Sequence, residues 1–522
     1  MKKQSFVLGA LILSVSGVIC KILGAFYKIP LTNILGTGGI GIYYMVFPVF
    51  ALILSLTSTS MPAAISRLIS REIAVGNPSG ARRIFRGALL MLMILSGAFA
   101  LVLMLLSGVL SRLQGAPDIA SGYLVVAPAI FVVGVLSAIR GWFQGHMDMV
   151  PTGVSQIIEQ IFKLFLGLFL AVKLMPQGLI YGAVGALLGI TLSEVFALLY
   201  IIIHYLFTKE NIPVSRSDKA PIRETIREVF LASVPFVLGS SIFPLSLMLD
   251  SFLIVNLLER IGLSNSLAVS LLGINSGIIS TMISLPTIIS LSLSFAIIPT
   301  LARNKTQEDS TKKVSLAIKL NLFLLFPCAL VYLFFAPQIL GLLFGAVEGL
   351  NIAAVLLQVS AVSVLFLGFL QLVTAILQGM GKPYVPVISL GIAIVVKIIL
   401  EVILLGIPGV NILGAVISNM ACFFVGLVIN LIYLRKLVRF RVGGLTPMVL
   451  SSLGLLSACF LGLRLFDFLG GTGLVLSFLL GATVFVGLVI LGGTFSKQEL
   501  GFLIKKKQNI TQSSDGVELP PE

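Results

Sequence analysis

The chain contains 522 residues, of which 58% are hydrophobic and only 11% charged, and its mean hydropathy is +1.12. Soluble globular proteins contain about 45–50% apolar and about 25% charged residues. This composition excludes a water-soluble enzyme of several domains, because it supplies too little charge to cover a solvent-exposed surface. The net charge of +15 does not indicate a nucleic-acid partner, since the basic residues lie mostly in short segments between apolar runs.

Apolar runs long enough to cross a bilayer recur from Val7 to Leu491. A membrane-spanning helix needs about 20 mostly apolar residues. The sequence therefore predicts an all-α, polytopic membrane protein of about 14 transmembrane helices, although other boundaries give thirteen or fifteen. The predicted spans are 6–28, 38–58, 87–109, 119–139, 154–174, 178–207, 229–255, 269–298, 314–336, 351–377, 385–406, 411–434, 446–466 and 473–493.

The distribution of lysine and arginine supports an even number of spans. With fourteen spans, 26 of these residues lie on the side shared by both termini, 4 lie on the opposite side and 5 fall within spans. Cytoplasmic segments of membrane proteins are enriched in Lys and Arg. We therefore predict a multi-pass membrane protein with both termini in the cytoplasm.

An internal repeat relates the two halves of the chain. Gln144, Gly145 and Lys163 recur as Gln378, Gly379 and Lys397, each at an offset of 234 residues. The repeat predicts two six-helix bundles related by a pseudo-twofold axis along the membrane normal, as in one class of secondary transporter, plus two extra C-terminal helices.

The repeat also predicts the domain organisation. Five segments follow from it: an N-lobe at 1–210, a cytoplasmic linker at 211–228, a C-lobe at 229–437, an extra pair of spans at 438–495 and a cytoplasmic tail at 496–522.

Charged residues within spans are the candidate site residues, because a charge near mid-bilayer usually faces a cavity or a partner. Lys163 and Lys397 are predicted near mid-depth. Each has a carboxylate four residues away on the same helix face, Glu159 and Glu401 respectively, which can partly neutralise it. These pairs either offset the cost of insertion or line a polar cavity that receives an anionic group.

Other intramembrane charges add to this set. Lys21 and Lys28 share one face of span one, and Lys28 either faces the cavity or extends to the outer interface. The carboxylates Asp250, Glu194 and Glu401 are candidates for coupling to Na⁺ or H⁺. The sequence contains no catalytic constellation and no metal-ligand spacing, so we expect neither an enzyme nor a resident cofactor.

Several motifs resemble the stage V sporulation protein B-like polysaccharide exporters. They are KILG at 21–24, GGIGIY at 38–43, PAAISR at 62–67, RGWFQG at 140–145 and SQIIEQ at 155–160. The resemblance places Arg140, Gln144 and Gly145 in the cytoplasmic loop motif after span four, with Gln378 and Gly379 as its repeat. The wider superfamily includes MurJ-type lipid II flippases, O-antigen flippases and multidrug (MATE) exporters.

This resemblance implies a V-shaped pair of bundles that flips an undecaprenyl-pyrophosphate-linked sugar by alternating access, most simply as a monomer. MurJ-type proteins have basic cavity residues on spans one, two and eight. Lys21 matches the first, whereas Pro48 and Thr281 stand at the other two positions. Lys163 and Lys397 are then the candidate replacements, and spans 13 and 14 are candidates for a lipid-tail groove.

Two other functions remain open at this point. A multidrug exporter would use cavity carboxylates to bind cationic drugs, and a scaffold of cell-envelope or spore-coat assembly would transport nothing. The sign of the cavity charge distinguishes the flippase from the multidrug exporter. A positive cavity favours a pyrophosphate lipid, and a negative one favours organic cations.

Overall fold

The computed structural model describes residues 6–208, 221–302, 307–345, 347–440 and 443–493. Within these ranges the secondary structure is helical throughout. The predicted tail at 496–522 and most of the predicted linker lie outside the described residues.

Sixteen α-helices follow one another in the described ranges. They are α1 (Phe6–Leu54), α2 (Met61–Ala74), α3 (Pro78–Leu113), α4 (Ala120–Gly145), α5 (Val150–Leu174), α6 (Leu179–Thr208), α7 (Ile222–Arg260), α8 (Asn265–Gly273), α9 (Ser280–Ala302), α10 (Gln307–Phe344), α11 (Leu350–Ser360), α12 (Ser363–Gly379), α13 (Tyr384–Leu405), α14 (Leu413–Leu437), α15 (Leu445–Leu465) and α16 (Gly471–Leu491). Two π-helical segments, Ser55–Thr59 and Ile274–Ile279, connect α1 to α2 and α8 to α9.

The all-α membrane fold is confirmed. Eleven described segments are long and apolar enough to cross a membrane, and α11 with α12, bent by 51°, makes a twelfth. The first of these segments contains two predicted spans, and α5 coincides with the predicted span at 154–174. The structure is thus consistent with fourteen spans, and that number stays a prediction.

Two predicted boundaries differ from the structure. The first two spans form one 49-residue helix, which breaks at Gly36 rather than at a loop. Gly36 has a φ of 66° and a ψ of −177°, a conformation that glycine adopts without a steric penalty, so the chain turns there within a single residue. The predicted linker at 211–228 is also partly helical, because α7 begins at Ile222.

Equivalent packing in the two lobes supports the internal repeat. Both α4 and α12 end at the glycine of their Gln-Gly pair. Gly145 lies against Ile69 of α2, and Gly379 lies against Ile298 of α9. The short connections after α5 and α13 produce the two antiparallel hairpins expected from the sequence, α5 with α6 and α13 with α14.

The two lobes meet closely where α1 crosses α8, near the predicted outer end of the bundle. A Cβ atom at Gly41 would overlap the carbonyl oxygen of Val269, and one at Gly273 would overlap that of Thr37. Small residues allow helix backbones to approach in this way within membranes. Asn265 Nδ2 adds a hydrogen bond of 2.9 Å to the carbonyl oxygen of Gly115, from C-lobe to N-lobe.

The C-terminal helix pair packs on the C-lobe through aromatic side chains. Phe335 of α10 lies 4.6 Å from Phe460 of α15, and Phe323 of α10 lies 5.0 Å from Phe485 of α16, measured between ring centroids. The pair is therefore attached to α10.

The α1–α8 crossing predicts a specific sensitivity to side-chain volume. Gly41→Ala places a methyl group against backbone that cannot rotate away, so it should lower the free energy of unfolding by about 1–3 kcal/mol. The measurement is the thermal unfolding midpoint of the purified protein in detergent. Gly108→Ala, within α3 and with open space around its Cβ position, is the matched control and should leave the midpoint unchanged or slightly raised. Equal midpoints for the two variants would contradict a tight crossing.

Candidate functional site: a charged cavity between the lobes

A cavity lies between the two lobes and is lined by α1, α7, the π-helical segment Ile274–Ile279, α9, α13 and α14. It contains about 1110 Å³ of empty space, including the part open to solvent. A second cavity of about 880 Å³ adjoins it, and Lys28 and Ser284 line both. We call the two together the interlobe cavity. Its π-helical wall is notable because π-helical turns occur frequently at functional sites.

Two lysines of α1 reach the interlobe cavity. Lys21 and Lys28 are seven residues apart, which places them on one face of the helix two turns from each other. The Nζ atom of Lys28 lies 5.7 Å from the ring centroid of Tyr44, so Lys28 faces the cavity. Pro48 and Thr281, which replace the basic residues of MurJ-type proteins, also line the cavity.

Lys397 of α13 lines the same cavity but is held in its wall. Its side chain is 2% exposed, and its Nζ atom lies 2.6 Å from Oδ2 of Asp250 on α7. The same ammonium donates a hydrogen bond of 2.9 Å to Ser246 Oγ, one turn earlier on α7. Buried charges in membrane proteins are stable when they are paired in this way. The ion pair thus fastens α13 to α7.

Lys163 has a different environment from Lys397, although the repeat makes the two positions equivalent. Its Nζ atom lies 5.3 Å from the ring centroids of both Tyr27 and Phe47. Aromatic faces attract a cation electrostatically. Lys163 is therefore stabilised by two rings of α1, and Phe47 is itself a lining residue of the cavity.

The predicted pairing within each helix is corrected by the structure. Glu159 forms its ion pair with Arg140 of α4, at 3.1 Å, and Arg140 also donates a hydrogen bond of 2.9 Å to Ser155 Oγ. Lys397 likewise pairs with another helix rather than with Glu401. In the packed bundle, the basic side chains of Arg140 and Lys397 each meet a carboxylate from a neighbouring helix. The spacing of residues along one helix does not predict such contacts.

All three of the predicted coupling carboxylates are buried and incompletely hydrogen-bonded within the described part of the chain. Glu194 is 6% exposed and Glu401 is fully buried. One oxygen of Glu194, both oxygens of Glu401 and Oδ1 of Asp250 accept no hydrogen bond from the described part of the chain. Within that same part, no group of three or more His, Cys, Asp or Glu residues is arranged to hold a metal ion.

The loop motif has a structural position apart from the cavity lining. Gln144 and Gly145 end α4, and Gln378 and Gly379 end α12, where the glycines let α2 and α9 approach. Arg140, which the sequence placed in this loop, is instead a buried residue of α4.

Sequence reasoning also missed part of the site. Ser246 was not predicted, although its spacing of four residues from Asp250 places both on one face of α7. The aromatic partners of the lysines could not be predicted, because the sequence does not distinguish them from the many other aromatic residues of the apolar spans. They are Tyr27, Tyr44 and Phe47.

The fold and the interlobe cavity define the class of protein. The structure resembles that of the lipid II flippase MurJ in an inward closed conformation, with a TM-score of 0.69 and 15% identity over 92% of this chain and 99% of that one. It also resembles an inward-facing MATE multidrug resistance transporter of the MOP superfamily, with a TM-score of 0.63 and 20% identity over 84% of this chain and 99% of that one. The chain is thus a multi-pass membrane protein with the MOP-superfamily transporter fold.

By sequence the chain belongs to the polysaccharide biosynthesis protein family. Its residues 6–305 match the sequence pattern of that family. Residues 235–403 also match the MatE family. Among relatives, stage V sporulation protein B of Bacillus subtilis (strain 168) is 26% identical over 80% of this chain and 81% of its own length. The lipid II flippase MurJ of the same organism is 24% identical over 82% of each chain.

The ion-pair assignment predicts which residue is energetically coupled to Glu159. In a double-mutant cycle, Arg140→Ala with Glu159→Ala should show a coupling energy of about 1–3 kcal/mol, because the pair is mostly buried and hydrogen-bonded. The parallel cycle of Lys163→Ala with Glu159→Ala should show about 0.2–0.5 kcal/mol, the size typical of a four-residue helix pair. Chemical denaturation in mixed micelles measures both. A larger coupling to Lys163 would restore the pairing expected from sequence alone.

Proposed function

We propose that the protein flips an undecaprenyl-pyrophosphate-linked sugar, lipid II or a related glycan lipid, from the cytoplasmic to the outer leaflet by alternating access. The observation that supports this most is the charge of the interlobe cavity. Three lysines (Lys21, Lys28 and Lys397) and one aspartate (Asp250) line it, a formal excess of two positive charges. A positive cavity with apolar walls suits a pyrophosphate group better than an organic cation.

In this proposal Lys21 and Lys28 make the first contacts with the pyrophosphate. Both line the cavity, and neither is held by an ion pair within the part of the chain that the structure describes. Lys163 and Lys397 add positive potential from the surrounding wall, while the polyprenyl tail stays in the lipid. Rocking of the two lobes then exposes the sugar on the other side, with Na⁺, H⁺ or the membrane potential resetting the carrier.

The proposal includes location and assembly. The protein acts in the bacterial plasma membrane as a monomer, with both termini in the cytoplasm. The family match and the sequence similarity to stage V sporulation protein B and MurJ support the location in a bacterial membrane.

A MATE-type multidrug exporter is the second candidate. The match of residues 235–403 to the MatE family favours it, as does the buried carboxylate Glu194, which accepts no hydrogen bond at one oxygen. Cavity carboxylates would bind cationic drugs, so this function predicts efflux of organic cations that depends on acidic rather than basic residues.

Complementation of a bacterial strain depleted of its lipid II flippases tests the flippase proposal. Wild type should restore growth, whereas Lys21→Gln and Lys28→Gln should lower the flipping rate about 10- to 100-fold. A hydrogen bond to a charged group contributes about 1.5–3 kcal/mol, which corresponds to that range.

The matched control is Lys173→Gln, because Lys173 is exposed at the far end of α5 and should not affect rescue. All variants are compared at equal amounts in the membrane. Full rescue by the double variant Lys21→Gln/Lys28→Gln would remove these lysines from the site. No rescue by correctly inserted wild type, together with efflux of ethidium, would favour the drug-exporter function.

A further inference from the structure

The contact between α7 and α13 contains an unusual combination of buried charges. Lys397 is 2% exposed, Asp250 is 4% exposed and Glu401 is fully buried. Lys397 Nζ lies 2.6 Å from Asp250 Oδ2, and Ser246 Oγ accepts its second hydrogen bond. One ammonium is therefore shared among two nearly buried carboxyl groups, one of which it contacts directly. With both carboxyls ionised, this cluster would carry one uncompensated negative charge.

The free oxygens of the two carboxyls point to the missing component. Asp250 Oδ1 and both oxygens of Glu401 accept no hydrogen bond from the described residues. Glu401 follows Lys397 by four residues, about one turn along α13, so its carboxyl lies on the same face of the helix as the ammonium that binds Asp250. Two carboxylates that share a buried site repel each other and cannot both ionise, whereas a single proton between them turns the repulsion into a hydrogen bond.

We propose that Asp250 and Glu401 form a proton-binding site that holds one shared proton in the wall of the interlobe cavity. With this proton in place, one ammonium balances one carboxylate and the cluster is neutral. A hydronium ion in the cavity supplies the proton: one of its O–H bonds breaks, one O–H bond forms to a carboxylate oxygen, and a neutral water molecule remains. Asp250 and Lys397 both line the cavity, which gives the proton its route in and out.

The surrounding groups favour a proton over a metal cation. Lys397 already occupies Oδ2 of Asp250, and Lys28 of α1 lines the same cavity. Both repel a second cation. Cys422 of α14, which also lines the cavity, supplies no oxygen ligand. Hard cations require several oxygen ligands, and this cluster leaves only three carboxyl oxygens beside an ammonium.

The site has a consequence for transport, and only this step depends on the proposed flippase function. Loss of the shared proton adds a negative charge to the cavity wall and weakens the attraction of Lys28 and Lys397 for an anionic headgroup. Proton binding and pyrophosphate binding therefore favour each other, and linkage makes the effect reciprocal. The charge state of this pair sets how strongly the cavity attracts its substrate.

Infrared spectroscopy of the purified full-length protein in lipid membranes tests the site without any substrate. At neutral pH, wild type should show a carbonyl-stretching band of a protonated carboxylic acid that shifts in D₂O. Asp250→Asn and Glu401→Gln should each remove the contribution of one group, because the remaining carboxylate then pairs with Lys397 and stays ionised. Glu348→Gln, which alters an exposed carboxylate, should leave the band unchanged.

A second variant distinguishes two arrangements. In one, Asp250 and Glu401 share a proton; in the other, Glu401 is protonated regardless of Asp250. In Lys397→Gln the cation is absent, so both carboxyls should hold a proton and the contribution of the pair should increase about twofold. A band that neither Asp250→Asn nor Glu401→Gln reduces would overturn the proposal, as would a contribution that Lys397→Gln leaves unchanged. Because the readout needs no lipid-linked sugar, a failure here is distinguishable from a failure of the complementation test.

Discussion

The cost of placing charge inside a membrane governs this structure. A charged side chain within the bilayer must either have a partner or face a water-filled cavity. Lys397 satisfies the requirement through Asp250, Arg140 through Glu159, and Lys163 through the rings of Tyr27 and Phe47. Each of these contacts joins two different helices. The polar residues that make the chain expensive to insert therefore also determine which helices lie together.

The two lobes keep a lysine at one equivalent position but surround it with different partners. Lys163 and Lys397 are equivalent by sequence, yet Lys163 lies against aromatic rings of α1 and Lys397 is paired with a carboxylate of α7. The positions of Pro48 and Thr281 in the cavity wall show a further difference from the basic residues expected for MurJ-type proteins. The remaining cavity lysines, Lys21 and Lys28, both come from α1. Among the described residues, the unpaired positive charge of this cavity consequently lies on α1 of the N-lobe, whereas on the C-lobe side the charge of Lys397 is balanced by Asp250.

Much of the fold was predictable because hydrophobic length and charge placement are local properties of the sequence. Each predicted span overlaps described helices, although the first two share α1 and those at 269–298 and 351–377 are each divided between two helices. The short turns after α5 and α13 required hairpins. The break at Gly36 was not predicted, because an apolar run does not reveal where a glycine adopts a positive φ. The partners of Glu159 and Lys397 were missed for a different reason. They lie 19 and 147 residues away along the chain, and only packing brings them together.

The positive character of the interlobe cavity is central to the proposed function, and ligand binding tests it directly. The measurement compares binding of undecaprenyl pyrophosphate, undecaprenyl monophosphate and ethidium to the full-length protein in nanodiscs, for wild type and Lys21→Gln/Lys28→Gln. We expect wild type to bind the pyrophosphate lipid most tightly, the variant to lose this preference and ethidium not to compete. Tight ethidium binding that survives in the variant, without binding of the pyrophosphate lipid, would contradict this expectation.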